Sequence, residues 1–207
     1  MKFKTEQEDF WSGDFGDNYI LRNRSETFLL SNINFFKKAL KKVKKIDSMI
    51  EFGANIGMNI KAVKSLGKIK EFKAIEINKK ACLDLEKLIG KENVFQESIL
   101  DYKNLEMFDL VLTKTVLIHI NPKKLVAVYK KIYESAKKYI LIAEYYNPSP
   151  SIIEYRGFKN KLFKRDFAGE LIDIYPDLEI LDYGFVYHRD EFYPQDDINW
   201  FLLKKNN

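Results

Sequence analysis

The segment Ile50-Glu51-Phe52-Gly53-Ala54-Asn55-Ile56-Gly57 sets two glycines just past an apolar run. Glycine at such a place lets the backbone adopt positive φ and lets a ligand approach it closely. Asn55 stands between them, and asparagine tolerates a left-handed backbone well, so a tight turn survives there. Glu76 closes a second apolar run, Phe72–Ile75. A carboxylate about 20 residues after a glycine loop can accept hydrogen bonds from ribose hydroxyls. A nucleoside-bearing cofactor is therefore expected over Glu51, Gly53, Asn55, Gly57, Glu76 and Ile77. The competing reading of Glu76 is a solvated charge at a strand end.

Further candidates follow along the chain. Ser98 and Ile99 end a third short run, and Thr113 ends a fourth. These positions extend the expected cofactor site, with Ser98 either contacting an adenine or capping its turn. His119 lies just beyond the fourth run, where an imidazole could take a proton from a hydroxyl or ammonium nucleophile. Its structural alternative is a cap for the helix opening at Pro122. Tyr145, Tyr146, Tyr155, Arg156 and Arg165 form the candidate acceptor site. Arginine offers a planar fork to a carboxylate or phosphate, and tyrosine an apolar face with a hydroxyl. Salt bridging of these arginines to Asp166 and Glu170 is the plainer possibility. No metal-ligand set is read from the sequence.

The elements that must position these residues are legible as alternating patterns. Strands are expected at Ser48–Phe52, Phe72–Ile77, Val94–Gln96, Phe108–Thr113 and Tyr139–Ala143, with helices between them, clearest at Lys79–Leu88 and Pro122–Ser135. That rhythm implies a parallel sheet with right-handed crossovers. After a helix near Asp166–Ile174 come two more strand-like segments, Glu179–Tyr187 and Ile198–Leu203, expected to pair antiparallel. Residues 1–46 read as a helical cap with an N-cap at Ser25, and residues 47–207 as a Rossmann-like core with an acceptor-side insertion at about 145–169. Phe10–Asn23, rich in aromatics and glycine, reads either as a lid over the cleft or as a static cap.

Composition limits the alternatives. The 207 residues suit one domain, and 46% hydrophobic content with 16 Phe and 12 Tyr supports a large core. The lone cysteine, Cys82, permits no internal disulfide and fits a reducing, cytoplasmic setting. The opening residues lack a signal-peptide pattern, and no apolar run is long enough to span a membrane. Part of the net charge of +5 lies in Phe35–Ile46, FFKKALKKVKKI, which reads as an amphipathic helix with a solvated lysine face. A nucleic-acid or membrane-surface contact is its sharper alternative, and no nucleic-acid partner is expected.

The glycine turn resembles the acidic-x-Gly-x-Gly-x-Gly signature of S-adenosylmethionine enzymes, with Asn55 replacing the middle glycine. NAD enzymes share the glycine and acidic spacing, but their sixth strand stays parallel. A seven-stranded, mostly parallel sheet with an antiparallel last strand and helices on both faces is the sheet of class I methyltransferases. The blocks LTKTVLIHINP, ILIAEYYNPSP, YRG, LFKRDFAGE, YPDLEILDYGFVYHRD and PQDDINWFLL resemble the pseudaminic acid biosynthesis-associated methylases, from about Glu6 to Leu203. That resemblance implies S-adenosylmethionine as cofactor and a nonulosonic acid, its precursor or its nucleotide conjugate as acceptor. An RNA or protein methyltransferase, or a cofactor-binding partner without catalysis, remain as alternatives.

Overall fold

The computed structural model describes residues 3–103 and 106–206. Residues 1–2, 104–105 and 207, which fall within the expected 1–207 domain, lie outside the described residues.

Seven strands form one sheet: β1 (Ser48–Phe52), β2 (Glu71–Glu76), β3 (Val94–Gln96), β4 (Phe108–Lys114), β5 (Ala136–Glu144), β8 (Leu178–Val186) and β9 (Ile198–Lys205). A separate two-stranded hairpin, β6 (Ser151–Tyr155) and β7 (Phe158–Lys164), precedes the last two of these. The order in the sheet is β3-β2-β1-β4-β5-β9-β8, with β1 to β5 parallel and β9 antiparallel to both its neighbours. The expected Rossmann-like methyltransferase architecture is therefore the observed one.

The central strands are mostly apolar because both sheet faces are covered. Side chains alternate between faces along each strand, so Leu110 and Leu112 enter one core while Val111 enters the other. In β5, Tyr139, Leu141 and Ala143 face the first core and Ile140 and Ile142 the second. The first core includes Phe35, Phe36 and Ala39 of α3 (Glu26–Ala39), Ile60 and Val63 of α4 (Met58–Ser65), and Leu85 of α5 (Lys79–Ile89). The second includes Val128, Tyr129 and Ile132 of α6 (Leu125–Ser135), and Phe167 and Leu171 of α7 (Phe167–Ile174). Two short helices, α1 (Glu6–Ser12) and α2 (Asp14–Tyr19), lie ahead of α3, which Ser25 caps by accepting from the Phe28 N–H at 3.1 Å.

Two expectations, the extent of the lysine-rich helix and the start of β5, are corrected, and the structure of the insertion is added. The lysine-rich helix stops at Ala39, and Lys41, Lys42, Lys44 and Lys45 sit exposed on the connection to β1. Leu40 and Ile46 are both buried, so this connection is pinned at its two ends by the core and leads directly into Ser48. The insertion at 145–169 contains a β-hairpin. Its turn is two residues long, with φ of 54° at Arg156 and 83° at Gly157, the left-handed pair that matches strand twist in tight hairpins. β5 begins earlier than expected, at Ala136, where the sheet takes it directly from the end of α6.

At the edge opposite the strand carboxyl ends, Asp109 holds the entry to β1. Its Oδ2 accepts the Asp47 N–H at 2.7 Å and its Oδ1 pairs with Lys138 Nζ at 2.9 Å. Burial works to raise its pKa, but the amide bond and Lys138 outweigh that and hold it below the ordinary carboxylate value. The stabilisation is thus present above the unfolded carboxyl's pKa and is lost as pH falls through the lower folded value. Asp109→Ala is expected to cost about 1–3 kcal/mol at neutral pH, because a buried amide and an ammonium lose their acceptor. The shift in urea midpoint between the two proteins measures it, and the difference should narrow in acid.

Candidate functional site

A cavity opens at the carboxyl ends of the parallel strands, where ligands bind in open α/β sheets. Its floor is the turn from β1 into α4. Gly53 N–H and Ala54 N–H both donate to the Ile75 carbonyl, at 2.8 and 3.1 Å, so the end of β2 anchors the turn. Gly53, Asn55 and Gly57 have φ of 72°, 48° and 79°. Asn55 therefore adopts the left-handed conformation that the sequence requires of it, and its Oδ1 accepts the Ile56 N–H at 2.8 Å. A Cβ on Gly53 would stand 2.6 Å from Val116 Cγ2, and one on Gly57 2.8 Å from Leu85 and Leu88 methyls. Gly53 thus permits the loop after β4 to approach, and Gly57 permits α5 to pack.

Glu76 locks this turn. Its Oε2 accepts the Asn55 N–H and its Oε1 the Asn78 N–H, both at 2.7 Å. Burial raises its pKa against the pull of these amide bonds and one from Ile77. Three amide donors leave one of the carboxylate's four lone pairs open. Glu76, Ile77, Ser98 and Ile99 line the cavity in sequence from β2 to β3. The Ser98 hydroxyl is committed: it donates to Glu8 Oε1 and accepts the Leu100 N–H at 3.0 Å. Two carboxylates therefore meet at the end of the third strand, Glu97 just past Gln96 and Glu8 of α1, and both line the cavity. Glu8 is anchored in turn by the Lys4 N–H at 2.9 Å and the Thr5 hydroxyl at 3.0 Å.

A second buried carboxylate shapes the loop after β4. Glu144, at the end of β5, accepts the Val116 and Leu117 N–H groups at 3.0 Å and the Thr113 hydroxyl at 3.1 Å. Thr113 is thereby a support beneath the cavity and does not line it. Burial pushes Glu144 up to about 7 despite these donors. The loop it holds delivers His119, whose Nδ1 sits 2.6 Å from the Lys161 carbonyl on β7. A carbonyl only accepts, so Nδ1 carries the proton and Nε2 the lone pair. His119 lines the cavity, with the Trp11 and Tyr155 rings at centroid distances of 4.6 and 4.9 Å. It does not cap the Pro122 turn: Asn121 Oδ1 accepts the Lys123 N–H there.

The other expected site residues are only partly assembled. Tyr155 joins the aromatic wall with Trp11 and Phe15. Arg156 lies exposed in the hairpin turn, its guanidinium 5.5 Å from the Tyr155 ring centroid. Tyr145 is partly buried beside Asp196, and burial and then that charge raise its pKa. Tyr146 is exposed and packs near Phe201. Arg165 is engaged elsewhere: its Nε donates to Glu170 Oε1 at 2.7 Å, and Tyr129 holds the same carboxylate through Oε2 at 2.8 Å. Glu51 and Gly57 support the turn from below without lining the cavity. Cys82 is a buried thiol pushed up to about 12, mainly by burial, and is inert.

Gln7, Lys114, Gln195 and Asp196, which the sequence reading did not single out, also line the cavity, with Tyr19 and Asn23 from the expected lid or cap segment. Gln7 bridges the Asn160 carbonyl at 2.9 Å and the Asn121 amide at 3.2 Å. A signal for Glu8 was present locally, since Thr5-Glu6-Gln7-Glu8 has the capping-box spacing. None existed for its pairing with Ser98. Lys114 ends a wholly buried strand and is itself 5% exposed.

No family model matches the chain, and no curated protein does. Solved structures do. A Burkholderia thailandensis 1,6-didemethyltoxoflavin-N1-methyltransferase, with bound 1,6-didemethyltoxoflavin and S-adenosylhomocysteine, superposes with TM-score 0.70 at 12% identity, over 97% of this chain and 87% of that one. A SAM-dependent methyltransferase from Archaeoglobus fulgidus gives 0.67 at 14% identity, over 93% and 100%. The N-methyltransferase NodS from Bradyrhizobium japonicum gives 0.62 at 12%, over 92% and 99%. At these identities the likeness is one of fold, and the fold is that of S-adenosylmethionine-dependent methyltransferases.

Burial pushes His119 down to about 4, with the Lys161 contact opposing. The folded state thus resists a proton that the unfolded chain accepts near 6.5. Stability from this ring is complete above that value and falls as pH drops through the folded pKa. NMR titration should leave the His119 ring resonances unmoved until pH nears 4. A midpoint near the free-histidine value would overturn its burial.

Proposed function

We propose that the chain transfers a methyl group from S-adenosylmethionine to a small-molecule acceptor. The observation that carries this reading is the left-handed Gly53-Asn55-Gly57 turn locked by Glu76 at the mouth of the cavity. The cofactor would supply an electrophilic methyl on a sulfonium. The Gly53–Gly57 backbone would approach it closely, the open lone pair of Glu76 would accept a ribose hydroxyl, and Ile77 and Ile99 would flank the base. With Ser98 committed to Glu8, Glu8 and Glu97 are the carboxylates at the third strand end.

On the acceptor side, Trp11, Tyr155 and His119 make a wall against which an acceptor can be oriented. His119 stays neutral at physiological pH and has Nε2 free to receive a proton, but it is a weak base in this setting. Positioning therefore carries most of the rate. The finer reading is a small anionic sugar of the nonulosonic type, supported by the sequence blocks over Leu112–Leu203 and by aromatic faces suited to a sugar ring. Arg156, which has no carboxylate partner among the described residues, is its expected anion contact, with Tyr145, Tyr146 and Tyr155 around it. Arg165 shapes the insertion through Glu170.

Isothermal calorimetry should show S-adenosylhomocysteine binding and NAD failing to bind. Glu76→Ala should weaken that binding by about 1–3 kcal/mol, since hydrogen bonds to a charged group are lost. Gly53→Val should abolish it, because its Cβ has no room at φ of 72°. Tighter binding of NAD than of the sulfur nucleotide would sink the methyltransferase reading. With labelled S-adenosylmethionine, label should enter sugar acids or their nucleotide conjugates. Label only in RNA or protein would remove the sugar reading alone. His119→Ala is expected to lower turnover by less than about 100-fold, the range that full general-base catalysis supplies.

A further inference from the structure

The sheet is covered unevenly at its β8 edge. On one face α3 packs against β8 and β9, with the Phe35 and Trp200 ring centroids 6.4 Å apart, and a Cβ on Gly184 would stand 2.8 Å from the Trp200 ring. On the other face the outward residues of β8 are Ile180, Tyr183 and Phe185, exposed at 47%, 70% and 54%. A solvated face of an antiparallel sheet carries polar side chains at such positions. Here the apolar surface is continuous. Tyr183 stacks with Phe201 of β9 at a centroid distance of 6.2 Å, Tyr146 lies 6.3 Å from Phe201, and Tyr187 lies 6.1 Å from Phe185. The charges of β8 point the other way: Asp182 pairs with Lys42 at 3.1 Å, and Glu179 is in register with Lys204.

We propose that this band is the interface of a homodimer, in which two copies pack the same face of β8 and β9 against each other about a two-fold axis. Size supports that occupant. A buried aromatic side chain accounts for about 150–250 Å², so at these exposures the band offers roughly 500 Å² on each copy. Two copies together cover about 1,000 Å² before a polar rim is added, the size at which a specific interface holds. Chemistry supports a second copy as well. In a two-fold contact the same patch meets itself, so a charge within it would face its own kind. A band of tyrosine, phenylalanine and isoleucine carries no such repulsion and has the apolar character of lasting homodimer interfaces. Dimerisation of this kind holds whether or not the chain transfers methyl groups. It bears on the cavity all the same, because Tyr187 opens the link to β9 that carries Gln195 and Asp196 into the cavity wall.

Sedimentation velocity on the full chain over a wide range of concentration tests this. Wild-type protein should sediment as a dimer of 24.5 kDa chains and dissociate on dilution. Tyr183→Lys combined with Phe185→Lys sets like charges across the two-fold axis. Association should weaken by at least about 30-fold, the loss of one hot-spot side chain, with the far-UV circular dichroism spectrum unchanged. Leu83→Lys, at an exposed position of α5 near the opposite edge of the sheet, should stay dimeric. If the lysine pair prevents folding, Tyr183→Thr, which keeps a strand-favouring side chain, makes the same distinction. A wild-type chain that is monomeric at every concentration overturns the proposal, including one that holds a different protein on the band. So does a dimer that a folded variant of the band leaves intact.

Discussion

Two carboxylates, each buried at the end of a parallel strand and each closed over backbone amides of a neighbouring loop, hold the working edge of this protein. Glu76 gathers Asn55 and Asn78, and Glu144 gathers Val116 and Leu117. Strand ends leave amide donors that must find acceptors, and loops packed over a core cannot reach water for them. A carboxylate is the acceptor with enough lone pairs to serve several at once. The conformation of the glycine turn and the position of His119 both follow from these two side chains. The donors offset part of the burial cost, and neither carboxylate has an ion-pair partner among the described residues.

The remaining wall of the cavity comes from far away in the chain. α1 brings Glu8 to Ser98 and Gln7 to Asn160, while Asn78 at the start of α5 holds Asp17 at 2.8 Å. Trp11, Phe10 and Phe15 then close an aromatic cluster with Phe158 of the hairpin. The cap is thus stitched to both the nucleotide side and the acceptor side of the sheet. It couples the two halves of the site through one short pair of helices.

What could be read from the sequence was what is local. Asn55 at φ of 48° and the register of Glu76 depend on residue type and short spacing, and both were legible. The mostly parallel sheet with its antiparallel finish was legible because strand and helix periods alternate clearly and parallel connections have one hand. Contacts set by tertiary packing were not. Lys114 looks like the polar end of a strand, and only α3 and the approach to β9 reveal that it is enclosed. Arg165 stood open in the sequence between a substrate fork and a salt bridge to Glu170, and only the fold seats it on Glu170. The hairpin had a usable signal, Arg156-Gly157 between two runs of strand-forming residues, beside the more conspicuous turn signal of Pro148 and Pro150. The lysine-rich helix overran because its apolar spacing persists to Ile46, while burial of Leu40 and Ile46 on the path to β1 ends the helix sooner.

The long reach of α1 also dictates an order of events during synthesis. Glu8 and Gln7 leave the ribosome long before Ser98 and Asn160, and contacts across such separations are slow to form. Until the hairpin emerges, Phe10 and Phe15 have no ring partners outside their own two helices. The segment that closes the cavity is therefore made well before the residues that seat it, and a chain stalled ahead of Phe158 presents aromatic surface of the kind that promotes aggregation.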